Sequence, residues 1–411
     1  MLSKIKELIP KINFSLYLLI AFLLPLHQKS IGLFIGVLTV FSILELILFK
    51  NFSIKNKPIF IAGLLFFLIH LISVIYSSDK AIAWFDIEVK LSLLIFPILF
   101  SIQNQYLKKY NKLIFFTFVL SSFIGSVVML YIPLMAYWGN GFEFLNHVRE
   151  MRYLHPSYFS MYLIFSIGIL IKYITENKNI IIYKYIIFVP IIFLVYLISL
   201  LQSKAEIITI IVVLFYLFML AIIKLRSFLL KIAIFLLIIS FSLIILQKSS
   251  RLQSMFYSVE QISSAGESKD ETTGIRYEIW KIAAHQIKSN WLIGVGAGDI
   301  KSSISSELED KHLDAALDNS LNIHNQFLET FLGQGILGLS LLIFLLYLGV
   351  KEAIKRKDWL LTVFLILITI SFGPESMLNT QAGVIFFSFF YYFLFLFNTN
   401  NDKSIFQNYL K

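Results

Sequence analysis

Arg276 and His324 are the side chains whose types and settings point most directly to chemistry. Arg276 lies in Gly274-Ile275-Arg276-Tyr277-Glu278-Ile279-Trp280, just after the pair Thr272-Thr273, and helical spacing gives it one face with Tyr277 and Trp280. An arginine early in a helix opposes the helix macrodipole, so an anion is expected to compensate it. Its planar guanidinium donates two hydrogen bonds at once, which suits a phosphate. The plainer reading is an interfacial arginine paired with Glu278 or another acid of the same loop.

His324 opens His324-Asn325-Gln326-Phe327-Leu328-Glu329, where a long polar interval meets an apolar run. A neutral imidazole within reach of a hydroxyl is a competent general base near neutral pH, while a histidine at an interface also serves as a simple polar anchor. Glu329 falls inside the apolar run, and ionisable groups inside a membrane are costly enough to face a cavity or a partner.

Other polar groups fall in connections on the same side. Lys204, in Ser203-Lys204-Ala205-Glu206, is either a lysine snorkelling to the interface or a second cation for a phosphate. Arg149, Arg152, His155 and Tyr158, together with Glu375 in Gly373-Pro374-Glu375-Ser376, would line a substrate entrance or edge the lipid headgroups.

Three other chemistries are weaker. Gly294-Val295-Gly296-Ala297-Gly298 lacks the preceding strand and glycine spacing of a nucleotide fingerprint, so a tight turn ending a helix from about 276 to 289 is favoured. His312, Asp314, Asp318 and His324 cluster in sequence, but no two histidines have the spacing of a helical zinc site, so no metal is expected. No Gly-x-Ser-x-Gly elbow is present.

The elements that position these residues are membrane helices. The chain has 411 residues, is 58% hydrophobic and holds 41 phenylalanines, more apolar surface than a soluble core could bury. Apolar runs long enough to span fall near 12–27, 31–49, 58–76, 91–103, 113–135, 157–174, 184–201, 205–223, 227–246, 324–349, 358–373 and 380–397. The expected fold is thus an all-α polytopic membrane protein of about 12 transmembrane helices, with one large, partly helical periplasmic loop between helices 9 and 10. The run at 91–103 is short and borrows a turn from Asp86-Ile87-Glu88-Val89-Lys90.

The net charge of +10 is topological rather than a sign of a nucleic-acid partner. Lysines and arginines gather in alternate connections, at 50–57, 108–112, 172–184, 224–231 and 351–357. The positive-inside rule then puts both termini and these loops in the cytoplasm and the 247–323 interval on the periplasmic side of the inner membrane. The N-terminal run carries no small-residue cleavage site and reads as a retained first helix. The absence of cysteine excludes disulfides, thiolate metal sites and cysteine nucleophiles. Three regions follow: 1–246 with helices 1 to 9, the loop at 247–323 carrying part of the active site, and 324–411 with helices 10 to 12 and a cytoplasmic tail. Within the loop, 303–318 reads as an amphipathic helix. No internal repeat is visible.

With those residues placed, the chain resembles the O-antigen ligase and O-antigen polymerase superfamily of bacterial membrane glycosyltransferases. The resemblance rests on the architecture and on Arg276-x-x-x-Trp280, Asn290-Trp291-Leu292-Ile293-Gly294-Val295-Gly296-Ala297-Gly298, and His324-Asn325-x-x-Leu328-Glu329 followed by Gly335-Ile336-Leu337-Gly338. It implies inverting transfer of a glycan from undecaprenyl diphosphate to a glycolipid or glycan acceptor, at the periplasmic face among membrane lipids, without nucleotide sugar, metal or cofactor. Arg276 would hold the diphosphate and His324 would take the acceptor proton. Lys204 stands where the family commonly has an arginine, keeping the charge and losing the fork. Lys204, Arg152, His155, Tyr158, Trp280, Asn325 and Glu329 would contact substrate. A ligase using a lipid A core sugar is favoured; a polysaccharide polymerase, a protein O-oligosaccharyltransferase and a transporter of lipid-linked glycans are the alternatives.

Overall fold

A computed structural model of the protein describes residues 2–136, 154–176, 181–224, 272–310 and 322–396, with scattered positions between 227 and 240. Among the described residues the regular elements are helices, joined by an isolated bridge between Phe52 and Ile102. In chain order they are α1 (Leu2–Leu23), α2 (Ile31–Phe49), α3 (Lys57–Tyr76), α4 (Lys80–Lys90), α5 (Ser92–Ser101), α6 (Gln105–Lys109), α7 (Asn111–Ala136), α8 (Pro156–Glu176), α9 (Ile181–Leu201), α10 (Lys204–Lys224), α11 (Thr272–Asn290), α12 (Ile300–Asp310), α13 (Gln326–Arg356), α14 (Trp359–Ser371) and α15 (Gln381–Leu396). Short polar side chains start several of them: Asn56, Asp79, Asn104, Asn325 and Asp358 each accept a backbone N–H of the following first turn.

Five helices among the described residues, Gln28–Phe49, Lys57–Tyr76, Asn111–Met135, Pro156–Glu176 and Gln326–Arg356, are long and apolar enough to cross a membrane. Shorter apolar helices lie at Ile187–Leu201, Trp359–Ser371 and Gln381–Leu396. α8 and α15 are apolar nearly all round and accordingly sit in the middle of the bundle, whereas the outer helices keep apolar side chains such as Leu33, Ile75 and Phe116 exposed. The centre is aromatic, with the Phe118, Phe165, Phe386 and Phe390 rings meeting edge to face or tilted.

The expected run at 91–103 proves to be the second half of a longer unit. Leu91 keeps helical angles between α4 and α5, so the chain is nearly continuous from Lys80 to Ser101. The borrowed turn is the last of α4, and its charged residues Asp86 and Lys90 pair with each other.

The polar interval folds against the bundle by its own small core. Ile279, Ile282, Ala283 and Ile287 of α11 pack with Ile304 and Leu308 of α12, with Ile323 and with Leu332 of α13. α11 begins close to where the sequence suggests and ends in the expected turn. The amphipathic helix expected at 303–318 is observed as α12 up to Asp310, its remainder lying outside the described residues.

The glycine-rich turn does more than end a helix. α13 is broken at Gly335, whose φ of 65° and ψ of −164° free the carbonyls of the preceding turn. Those carbonyls are taken by the turn: Val295 N donates to Leu332 O at 2.8 Å and Gly296 N to Gly333 O at 3.0 Å, while Ile336 N donates to Trp291 O at 2.8 Å. The other edge of the turn is held by the connection between α3 and α4, where the Asp299 carboxylate accepts from Ser78 N at 2.6 Å and Asp79 N at 3.0 Å. A side chain at Gly335 would collide with the Leu292 carbonyl.

The ends of the bundle differ. At one end Ser203, Ser157 and Glu375, at helix starts or connections, are joined by hydrogen bonds, and beside them Ser371 at the end of α14 donates to Glu206 in the first turn of α10. Cations gather at the other, where Lys55 and Arg356 donate to the last carbonyls of α15 and Lys112 and Lys172 face Glu176. Because Gly335 needs both a positive φ and an empty Cβ position, Gly335→Ala is expected to lose about 2 kcal/mol of stability, read as a lower thermal unfolding midpoint in detergent. Gly32→Ala, where a Cβ meets nothing within 4 Å, is the control and should unfold like wild type.

Candidate active site

The site forms where α8, α10 and α11 meet the start of α13 and the connection between α14 and α15. Its centre is the carboxylate of Glu375. His324 Nδ1 lies 3.4 Å from Oε2, Ser157 Oγ donates to Oε1 at 3.2 Å, and Arg276 Nη2 is 3.8 Å from Oε1. The second amino group of Arg276 donates to the Pro374 carbonyl at 3.1 Å. Ser203, the residue before Lys204, reaches Ser157 at 3.2 Å, so the start of α10 joins the same group.

Burial raises the Glu375 carboxyl, but the hydrogen bond from His324 and the charges of Arg276 and His155 outweigh it and hold the carboxyl below the ordinary carboxylate range. Glu375 is therefore an anion at neutral pH and only 10% exposed, whereas the side chains of His324 and Arg276 are 23% and 31% exposed. The arrangement is an inner anion that orients two partly accessible groups. With Nδ1 of His324 turned to the carboxylate, the Nε2 atom is the one left to face a substrate.

His324 is held in a backbone conformation that side chains seldom adopt, φ 51°. Left-handed angles at a non-glycine residue cost on the order of 1–3 kcal/mol and persist where the surroundings over-determine them. Here the indole of Trp280 donates to Ile323 O at 2.8 Å, Asn325 N donates to Ser376 Oγ at 3.3 Å, and Gln326 N donates to Phe372 O at 2.8 Å. The residues on either side of His324 are thereby pinned to two separate elements.

The structure thus brings Arg276 and His324 together through a residue that local sequence did not single out for the centre. The acid that compensates Arg276 is Glu375, and Glu278 instead pairs with Lys281 at 2.8 Å. Trp280 supports the His324 turn, and Asn325 caps α13, its Oδ1 accepting from Phe327 N and Leu328 N at 3.0 Å each. Glu329 is buried and has partners rather than a cavity, accepting from Ser376 at 3.0 Å and Asn379 at 2.8 Å. His155 is exposed just before α8, its Nδ1 accepting from Ser157 N at 3.4 Å, and Tyr158 is buried one turn further on. Lys204 is the first, partly buried residue of α10. Arg149 and Arg152 lie outside the described residues, as do His312, Asp314 and Asp318. Among the described residues no group of three or more histidines and acids could hold a metal.

Fold and site together define an all-α, multi-pass membrane protein with a cation, an imidazole and an oriented anion at one end of its bundle. Residues 189–343 match the family model described as O-Antigen ligase, which supports a likeness of this segment to the O-antigen ligase superfamily. The matched segment is less than half of the chain; it contains Lys204, Arg276, Trp280, His324, Asn325 and Glu329 and stops short of Glu375. No curated protein matches the chain.

The lowered Glu375 ionisation links the site to stability. Its contribution is complete above the unfolded carboxyl value, near 4.5, and is lost as pH falls through the lower folded value. Thermal unfolding followed from pH 7 downward should therefore show wild type losing stability below about pH 4.5, with a shallower loss in Glu375→Gln. Identical slopes would mean that the carboxylate is not held as the geometry indicates.

Proposed function

We propose that this protein is an O-antigen ligase-like glycosyltransferase, which moves a glycan from undecaprenyl diphosphate to a hydroxyl of an acceptor, a lipid A core sugar or similar, at the periplasmic face of the inner membrane. The observation that carries this reading is the meeting of Arg276 and His324 on opposite oxygens of one buried carboxylate. A phosphate-suited cation and a base-suited imidazole, from elements far apart in the chain, then face the same space.

In the proposed step the acceptor oxygen attacks the anomeric carbon from the side opposite the diphosphate. The bond from carbon to the diphosphate oxygen breaks with its electron pair on that oxygen, and His324 Nε2 takes the acceptor proton. Glu375 keeps Nδ1 protonated and steadies the imidazolium as it forms. Arg276 stabilises charge developing on the leaving diphosphate. Its contact with Glu375 is long, so a diphosphate would draw the guanidinium away while the imidazole stays on the carboxylate. Lys204, the first residue of α10 and next to Ser203, would supply a second cation.

Polymerase and protein O-oligosaccharyltransferase activities use the same donor chemistry and differ in acceptor. Transport finds less support: α13 is broken, but its freed carbonyls are filled by the backbone of the 291–296 turn rather than left to line a pathway.

The test is glycan transfer by purified protein in liposomes, from a polyprenyl-diphosphate-linked glycan to candidate acceptors, without any ion gradient. His324→Ala is expected to reduce turnover by roughly a hundredfold or more with little change in donor affinity. Arg276→Ala is expected to weaken both donor binding and turnover, with Arg276→Lys recovering only part because it lacks the fork. Wild-type rates in both alanine variants would overturn the site assignment, and absence of transfer to every acceptor would overturn the enzyme class.

A further inference from the structure

Beneath the Glu375 group lies a second set of polar side chains that the proposed chemistry does not use. Lys90 of α4, only 2% exposed, pairs with Asp86, whose other oxygen lies 3.6 Å from His70 Nδ1 of α3. The Lys90 ammonium also donates to Asn379 Oδ1 at 2.8 Å, and Asn379 Nδ2 donates to Glu329 Oε1 at 2.8 Å. The other Glu329 oxygen accepts from Ser376 Oγ at 3.0 Å, and that same hydroxyl accepts the Asn325 N–H at 3.3 Å.

Charge decides the direction of every link. An ammonium only donates and a carboxylate only accepts, so Asn379 must turn its oxygen to Lys90 and its NH₂ to Glu329. Glu329 with both oxygens occupied leaves Ser376 one orientation, donating to the acid and accepting from Asn325. Ser376 adjoins Glu375 and Asn325 adjoins His324, so the chain of bonds ends on the residues next to both members of the pair. Stability alone is a weak account of such a cluster, because apolar residues of similar volume often replace buried ion pairs without loss.

We infer that Lys90 is a positioning residue for the His324–Glu375 pair, acting through Asn379, Glu329 and Ser376. The inference rests on the reading of that pair as the working groups. It also makes α4, which lies outside the segment matching the O-antigen ligase family model, part of what the site requires.

The test compares wild type with Lys90→Met, Lys90→Met/Asp86→Asn and Glu375→Gln. Each is measured for thermal unfolding, for undecaprenyl diphosphate binding, and for turnover with a polyprenyl-diphosphate-linked glycan donor. Lys90→Met should lower turnover by roughly ten- to a hundredfold, as small misplacements of reacting groups do, while affinity for undecaprenyl diphosphate changes by less than about threefold. The double variant removes both members of the ion pair and leaves neither unpaired, so it should unfold near the wild-type temperature and still turn over slowly. It also keeps the test intact if Lys90→Met alone does not fold. Recovery of turnover together with stability in the double variant overturns the inference, because Lys90 would then only balance charge. Loss in Glu375→Gln with wild-type turnover in Lys90→Met overturns it alone; wild-type turnover in both overturns the site reading as well.

Discussion

A carboxylate kept almost out of solvent has to be matched by groups that hold its charge, and in this protein that requirement falls on Glu375. An imidazole, a guanidinium and a serine hydroxyl meet it, each from a different element. Removing water makes each of those contacts stronger and makes an unmet one more costly. The connection between α14 and α15 is thus tied to α8, α11 and the start of α13 at once, and the separation of the two partly exposed groups is set by the two oxygens of one anion. A free loop could not impose such spacing, since the entropy of its own conformers would compete with every contact.

The same logic appears in the backbone. Breaking α13 at Gly335 leaves carbonyls that a membrane environment would penalise heavily, and the turn after α11 supplies the missing donors. The break and the turn therefore require each other. Their joining carries α11 and its small apolar core onto the bundle, placing Arg276 over the helix start that bears His324. Strain at His324 belongs to this arrangement: its left-handed backbone is held from both sides by groups that are themselves fixed.

Much of this was legible in the chain. Arg276 and His324 stood out as candidates because each residue type suits a chemistry, Arg276 near the start of a helical stretch in the polar interval and His324 where that interval meets an apolar run. The turn at 294–298 was recognisable because glycine clusters mark positive φ. Glu375 was visible only as an acid in a short connection, since nothing local ties it to His324, 51 positions earlier, or to Ser157, 218 positions earlier. Lys90 and Asp86 marked only a helix boundary; their i,i+4 spacing suits a pair on one helix, but the bond from Lys90 to Asn379 joins positions 289 apart and nothing local announces it. Trp280 and Asn325 were expected to touch substrate. Their side chains support and cap the His324 turn, a use that becomes visible once the Ile323 carbonyl and the first turn of α13 have positions.

The sequence by itself determined the solvent and the scale of the fold. Apolar runs of spanning length report directly on transfer from water to hydrocarbon, a property of each segment alone. It determined too which residue types were present for phosphate and proton chemistry. Tertiary structure alone decided which of them meet. Whether Arg276 compensates Glu278 or Glu375, whether Glu329 faces a cavity or a serine and an asparagine, and where α13 breaks all depend on distances between segments remote in sequence. Pairing energies of buried charges and backbone carbonyls fall off over a few ångströms, so they are settled only when packing has brought those segments together.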